Sequence, residues 1–147
     1  MRGLSMIADG ELFAVDVTLV EKVVRNVAVT PIPAAPRAVA GLANIKGGVV
    51  TMLCLAELFG RKGFKQTRSA VVFKPSTDGN DQMGILVDKP GALIDINDNE
   101  ILPPPLEKKE EKSIITGIAE VGGELYRIIS IDEIIDRFRD ENQPALS

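Results

Sequence analysis

Apolar residues recur along this chain in short runs near period two, broken about every 8–12 residues by Gly, Pro, Asn or Asp. Gly3 to Ala8 predicts a first strand, and Asp9-Gly10 a hairpin turn behind it. Leu12, Phe13, Val15 and Val17, with Ala14 and Asp16 between them, predict a second strand with mixed faces. Thr18 followed by Glu21 fits a capping box, so one helical turn is expected there. Val23, Val24, Val27 and Val29 return the chain to strand character. Pro31, Pro33 and Pro36 then fix φ and push each preceding residue toward extended geometry. Arg37 to Ala40 predicts a short turn of helix ended by Gly41. Leu42 to Ile45 and Val49 to Leu55 predict a hairpin around Lys46-Gly47-Gly48. Leu55 to Phe59 predicts a short helix with Gly60 just past its end.

The second half continues in short runs. Gly60 to Gln66 reads as a loop, Ser69 to Phe73 as a strand, and Lys74 to Asp81 as a turn-rich loop. Gln82 to Val87 predicts the partner of that strand, and Ala92 to Ile96 another strand. Pro103-Pro104-Pro105 and the charged run Glu107 to Lys112 form an exposed connection. Ile114 to Val121 and Glu124 to Ile129 predict a last hairpin about Gly122-Gly123. Ser130 and Glu133 make a capping box for a final helix, whose Ile131, Ile134, Ile135 and Phe138 fall on one stripe. Many short strands without alternating βα units predict a mostly-β fold. No internal repeat is legible. Residues 1–140 are expected to form a single domain, with 141–147 as a tail.

Composition narrows the function. The chain has 147 residues, 45% of them hydrophobic, enough to bury roughly two-thirds of its unfolded surface. Histidine and tryptophan are absent, which removes most acid–base and nucleophilic designs, so no enzyme activity is expected. The net charge is −4, and the densest basic patch, Arg61, Lys62, Lys65 and Arg68, is a loop with one Phe, a poor nucleic-acid groove. One cysteine, Cys54 in an apolar run, makes no internal disulfide and reads as a small core hydrophobe. No apolar segment approaches the ~20 residues of a membrane span, so a cytosolic protein without direct membrane insertion is expected. Asp95 to Glu100 starts like a calcium loop but has Glu100 where Gly belongs and Leu106 where Glu belongs. Lys46-Gly47-Gly48 has the wrong order for a phosphate loop. Asp88 has no second placed acid. No metal or cofactor is expected.

Against this background the run from Val29 to Gly47 stands out. Val29-Thr30-Pro31-Ile32-Pro33-Ala34-Ala35-Pro36 and Gly41-Leu42-Ala43-Asn44-Ile45-Lys46-Gly47 resemble the recurring motif of the CheW family of chemotaxis coupling proteins. Gly84 to Asp88, Ile101-Leu102-Pro103, Thr116-Gly117 and Ser130 to Ile135 are similar to further family segments, in order. The likeness runs from about Gly3 to Phe138. Three positions depart from it: Lys46 replaces an Arg and loses its planar fork, Cys54 replaces an Asp, and Lys22 stands where a Glu is common, next to Glu21.

The resemblance implies two small five-stranded SH3-like β-barrel subdomains packed on a shared core. It implies a non-catalytic adaptor between chemoreceptors and a CheA-type histidine kinase, at membrane-bound receptor arrays. The kinase's regulatory domain and the receptor's cytoplasmic hairpin tip would be its partners, with self or paralogue association in array rings. A coupler of a pilus-motility or other non-flagellar pathway is the runner-up within the same fold, and the sequence does not separate the two. A small-ligand-binding β-barrel module is a reading of a different class. By position, the receptor-facing set would be Val20, Gly41, Asn44 and Lys46. For Asn44 and Gly41 a purely local role, in a turn and in a helix stop, stays open beside it. Lys46 is an exposed charge at a hairpin tip, where folding does not ask for one.

Overall fold

The computed structural model describes residues 1–60, 69–75, 82–104 and 114–142. The predicted loops 61–66 and 76–81 and the charged run 107–112 lie outside them. In chain order the elements are β1 (Arg2–Ala8), β2 (Glu11–Asp16), a 3₁₀ turn (Val17–Leu19), β3 (Val20–Val24), β4 (Val39–Ile45), β5 (Gly48–Cys54) and α1 (Leu55–Leu58). They continue with β6 (Ser69–Phe73), β7 (Gln82–Val87), β8 (Lys89–Asp95), a second 3₁₀ turn (Asp98–Glu100), β9 (Ile115–Val121), β10 (Glu124–Ile129) and α2 (Ile131–Asn142). The strands form two five-stranded sheets, ordered β8-β1-β2-β10-β9 and β3-β6-β7-β5-β4.

The two sheets have one topology. In each, a hairpin (β4–β5, β9–β10) lies parallel to the second strand of another hairpin (β5 to β7, β10 to β2). The remaining edge strand, β3 or β8, pairs antiparallel with β6 or β1. The chain leaving that edge strand then bridges to the opposite edge, Thr30 to Leu42 and Leu102 to Ile118. A helix follows β5 and β10 alike. The fold is therefore two tandem units, β1 to α1 and β6 to α2, each lending its first hairpin to the sheet that holds the other's last three strands. Sequence alone does not reveal this correspondence, because it lies in the hydrogen-bond pattern and not in residue identity.

Interleaving sets the core. Central strands are buried on both faces, and their period-two alternation divides each between two cores. Val71, Phe73, Leu53, Ile85 and Val87 point with Leu4, Met6, Phe13 and Val15 into a core shared by both sheets. The intervening Ala70, Val72, Met52 and Leu86 fill the interior of one sheet, while Ala14, Ala119 and Ile128 fill that of the other. Ile131, Ile134 and Phe138 of α2 bury their stripe in the shared core, as their spacing predicts, with Ile135 at its margin. The Ser130 Oγ accepts the Glu133 N–H at 3.2 Å, the expected cap. Phe13 and Phe59 stack with ring centroids 5.5 Å apart, tying β2 to the end of α1. Gly60, at φ 73°, takes the left-handed position just past that helix.

Several local expectations change. The helical turn placed at Thr18 is the 3₁₀ turn one residue earlier, because the Asp16 carboxylate accepts both the Thr18 N–H (2.9 Å) and its hydroxyl (2.7 Å). Glu21 is free of any capping duty and instead accepts from the Gln82 side chain. Val27 and Val29 leave the sheet after β3, where Asn26 turns the chain at φ 56°. Arg37 to Ala40 is no helix, since Val39 already begins β4 and the Cys54 N–H reaches Ala38 O at 2.8 Å. Strand pairing outbids one unsupported helical turn. Leu55 belongs to α1 and not to the strand before it. Strand β8 starts at Lys89, three residues before the predicted Ala92, and so contains Pro90, tolerated because β8 is an edge strand.

Gly41 is no helix stop. It sits in β4 at a bulge opposite Met52, at φ 149°, and a Cβ there would lie 2.1 Å from Thr30 O and 2.9 Å from Val29 Cγ1. Gly117 occupies the same bulge of β9, and its Cβ would lie 2.3 Å from Ile101 Cγ2. Both glycines admit the strand-to-edge bridge that joins the two sides of their sheet. Gly41→Ala is expected to destabilise the fold by about 3 kcal/mol or more, from overpacking and backbone strain together. Gly48→Ala, whose nearest contact would be an ordinary 3.6 Å, should stay within about 0.5 kcal/mol. Thermal or urea melts of the two variants check this, and equal melts would refute the role given to Gly41.

Candidate partner-binding surface

Three of the four candidate residues stand on the β4–β5 hairpin. Gly41 is buried within it, whereas Asn44 and Lys46 are exposed near its tip. Val20 is half-buried at the start of β3, the opposite edge of the same sheet, where it pairs with Phe73 and packs on the shared core. The hairpin bridge at Thr30 links the chain leaving β3 back to β4, so the two edges are covalently and hydrogen-bond continuous.

The hairpin tip is a two-residue turn between Ile45 and Gly48. Lys46 has φ 50° and Gly47 φ 84°, the left-handed pair that matches the twist of the strands. Glycine is at ease there, but lysine is not, because its Cβ crowds the following carbonyl. The Asn44 Oδ1 accepts the Gly47 N–H at 3.0 Å and closes the turn. Asn44 thus has the turn-satisfying role its residue type suggests.

Two further residues belong to this surface and were not singled out from sequence. Val49 is 61% exposed and lies directly across from Asn44, and Leu42, two residues from Asn44 on the same face, is 37% exposed. The signal for Val49 was present: in Gly48-Val49-Val50, strand alternation buries one valine and must expose the other. The surface therefore combines one cation, one amide and an apolar strip. On the entry side, Arg37 Nε stands 2.9 Å from the largely buried Glu57 carboxylate, off the angle of a hydrogen bond, and ties the Pro-rich segment to α1. With Arg37 exposed, this ion pair is worth little in stability.

Elsewhere the sequence-level candidates resolve into structure. Burial pushes the Cys54 thiol above its ordinary value, against smaller opposing contributions from the Glu57 and Ala56 backbone N–H groups. The Asp88 Oδ2 accepts the Asp9 N–H at 2.8 Å and so steadies the first hairpin. In the acidic stretch, Asn97 Oδ1 accepts the Asn99 N–H at 3.0 Å, an Asx turn opening the second 3₁₀ turn. Among the described residues no three His, Cys, Asp or Glu side chains gather in a way that could hold a metal ion. No helix among them is long and apolar enough to cross a membrane. A surface cleft of about 510 Å³ beside β9–β10 is lined, among the described residues, by Leu102, Ile118, Gly122 and Leu125 with Glu100 and Glu120.

Two interleaved five-stranded sheets with a tip-exposed Asn-x-Lys-Gly hairpin suit a protein-recognition scaffold. The profile of the CheW-like domain matches residues 2–139. This chain belongs to the CheW-like domain family. It is similar to the chemotaxis protein CheW of Thermotoga maritima, with 28% identity over 134 residues, 90% of this chain and 86% of that protein. CheW of Helicobacter pylori is 28% identical over 138 residues, 91% of this chain and 81% of that protein. The crystal structure of the scaffolding protein TtCheW from Thermoanaerobacter tengcongensis superposes with a TM-score of 0.74 at 26% identity, covering 87% of each chain. The CheW-like reading made from motifs thus holds over nearly the whole length, and the mostly-β fold with two five-stranded units that it implied is found as two five-stranded sheets.

Two outcomes follow from the local geometry. Lys46→Gly should raise folding stability by about 1 kcal/mol in denaturant melts, by removing a side chain from left-handed backbone. Cys54 should resist a thiol reagent at about pH 8 until the protein unfolds, because burial disfavours its thiolate. The same raised pKa gives stability that is complete below the unfolded thiol value and declines as pH climbs above it. Fast labelling of native protein would contradict the burial.

Proposed function

We propose that this CheW-like chain is a non-catalytic adaptor that couples chemoreceptors to a CheA-type histidine kinase in chemotaxis signalling. The family match across residues 2–139 carries the reading. The absence of histidine from the sequence is consistent with a scaffold. The adaptor works in the cytoplasm at receptor arrays, held there by its partners. The kinase's regulatory domain is one partner and the receptor's cytoplasmic hairpin tip is the other.

The receptor-facing surface is the β4–β5 hairpin with Val20 on the facing edge. Lys46 offers its ammonium to carboxylates near the receptor tip, and Val20 with the exposed Leu42 and Val49 supplies apolar area. Gly41 serves this surface through the backbone it lets pack against Thr30. A pull-down of the purified protein with a CheA-type regulatory region, and separately with a receptor cytoplasmic fragment from the same cell, tests the whole reading. Capture of both supports it; capture of neither by folded protein overturns it.

Lys46→Glu should leave the melting curve unchanged, since the side chain is exposed at a turn. It should weaken receptor-fragment binding by about tenfold or more through like-charge repulsion. Isothermal titration compares the two proteins, and unchanged affinity would remove Lys46 from the contact.

A further inference from the structure

The two units of the fold supply an internal control for their own hairpin tips. In each, two residues connect the strands: Lys46-Gly47 between Ile45 and Gly48, and Gly122-Gly123 between Val121 and Glu124. The backbone is the same at both, with φ 50° and 84° in the first and 60° and 82° in the second. The second tip meets this geometry with two glycines, so folding needs no side chain at either position. The first tip puts a lysine where lysine is disfavoured. It also carries a bond the second lacks. By register, Asn44 opposite Val49 corresponds to Glu120 opposite Leu125. Asn44 Oδ1 accepts the Gly47 N–H at 3.0 Å, whereas Glu120 makes no such contact with its turn.

We propose that Asn44 is a positioning residue for Lys46. Its side chain locks the turn that lysine would otherwise loosen, and the ammonium is thereby held out from the tip toward an acidic partner surface. Asn44 itself need not touch the partner. Both its acceptor oxygen and the N–H it engages are occupied within the hairpin. The disfavoured lysine and the added bond occur together in one unit and are both missing from the other. This inference rests on the reading of Lys46 as a receptor contact and assigns Asn44 its part in it.

A double-mutant cycle separates the two. Binding of the receptor cytoplasmic fragment is measured for the wild type, Asn44→Ala, Lys46→Ala and the double variant, each with a melting curve. Asn44→Ala should weaken binding by about 2- to 10-fold, the range one neutral hydrogen bond is worth. In the Lys46→Ala background it should add nothing. Exchange of the Gly47 amide, followed by NMR, should quicken in Asn44→Ala and stay slow in Asn44→Asp, which keeps the acceptor oxygen and should keep binding. If Lys46→Ala alone leaves binding intact, the receptor role of Lys46 fails. If Lys46→Ala weakens binding but Asn44→Ala does not, the positioning role is overturned. An Asn44→Ala loss that persists unchanged in the Lys46→Ala background would mean that Asn44 touches the partner itself, and would overturn it equally.

Discussion

Burial of the central strands on both faces is the constraint from which the other features of this molecule follow. A strand such as β6 has no solvent side: Val71 and Phe73 enter the shared core while Ala70 and Val72 enter the interior of their own sheet. The shared core takes Phe13, Phe73, Leu53 and Ile85, and the sheet interiors mix Ala14, Ala43, Ala70 and Ala119 with Met52, Leu86 and Ile128. A one-residue slip of register would exchange the two sets and overfill one space while leaving cavities in the other. Register is thereby fixed throughout, and with it the direction in which each hairpin projects.

Strand pairing carries the β4–β5 hairpin out from this core. The base of the β4–β5 hairpin is anchored along β7 from Val50 on one side and by the Thr30 bridge at Leu42 on the other, and beyond these the two strands pair only with each other. The Gly41 bulge makes that bridge possible, and its counterpart at Gly117 does so in the second sheet. The two units thus share their backbone devices and differ in their side chains. One tip is glycine-only; the other holds Asn44 and Lys46 beside an exposed apolar strip. Lys46, where the resembling motif carries an arginine, keeps the charge but exchanges a planar fork for a point charge.

Much of this was legible in the chain. Strands β6 and β7 begin and end where their apolar runs do, and the stripe of α2 is buried as its spacing requires. The motif from Val29 to Gly47 pointed to the family now matched across residues 2–139. The errors have a common origin. The Thr18 capping box and the helical turn at Arg37 to Ala40 were local patterns, each defeated by a competing hydrogen bond: the Asp16 carboxylate in one case, the β5 ladder in the other. Gly41 read as a helix stop because the residue it must avoid, Thr30, is remote in sequence but adjacent in space.

By itself the sequence determined most of the elements: which apolar runs become strands, the glycine-bearing hairpin turns, which helix face is apolar, and which family the chain resembles. These depend on neighbours within a few residues, where sterics and periodicity act directly. Only the tertiary structure decided which strands pair, that the two units exchange hairpins, that Gly41 makes room for Thr30, and that Asn44 closes the turn under Lys46. Those outcomes depend on contacts between distant segments and on competition among hydrogen-bond partners, which no local window contains.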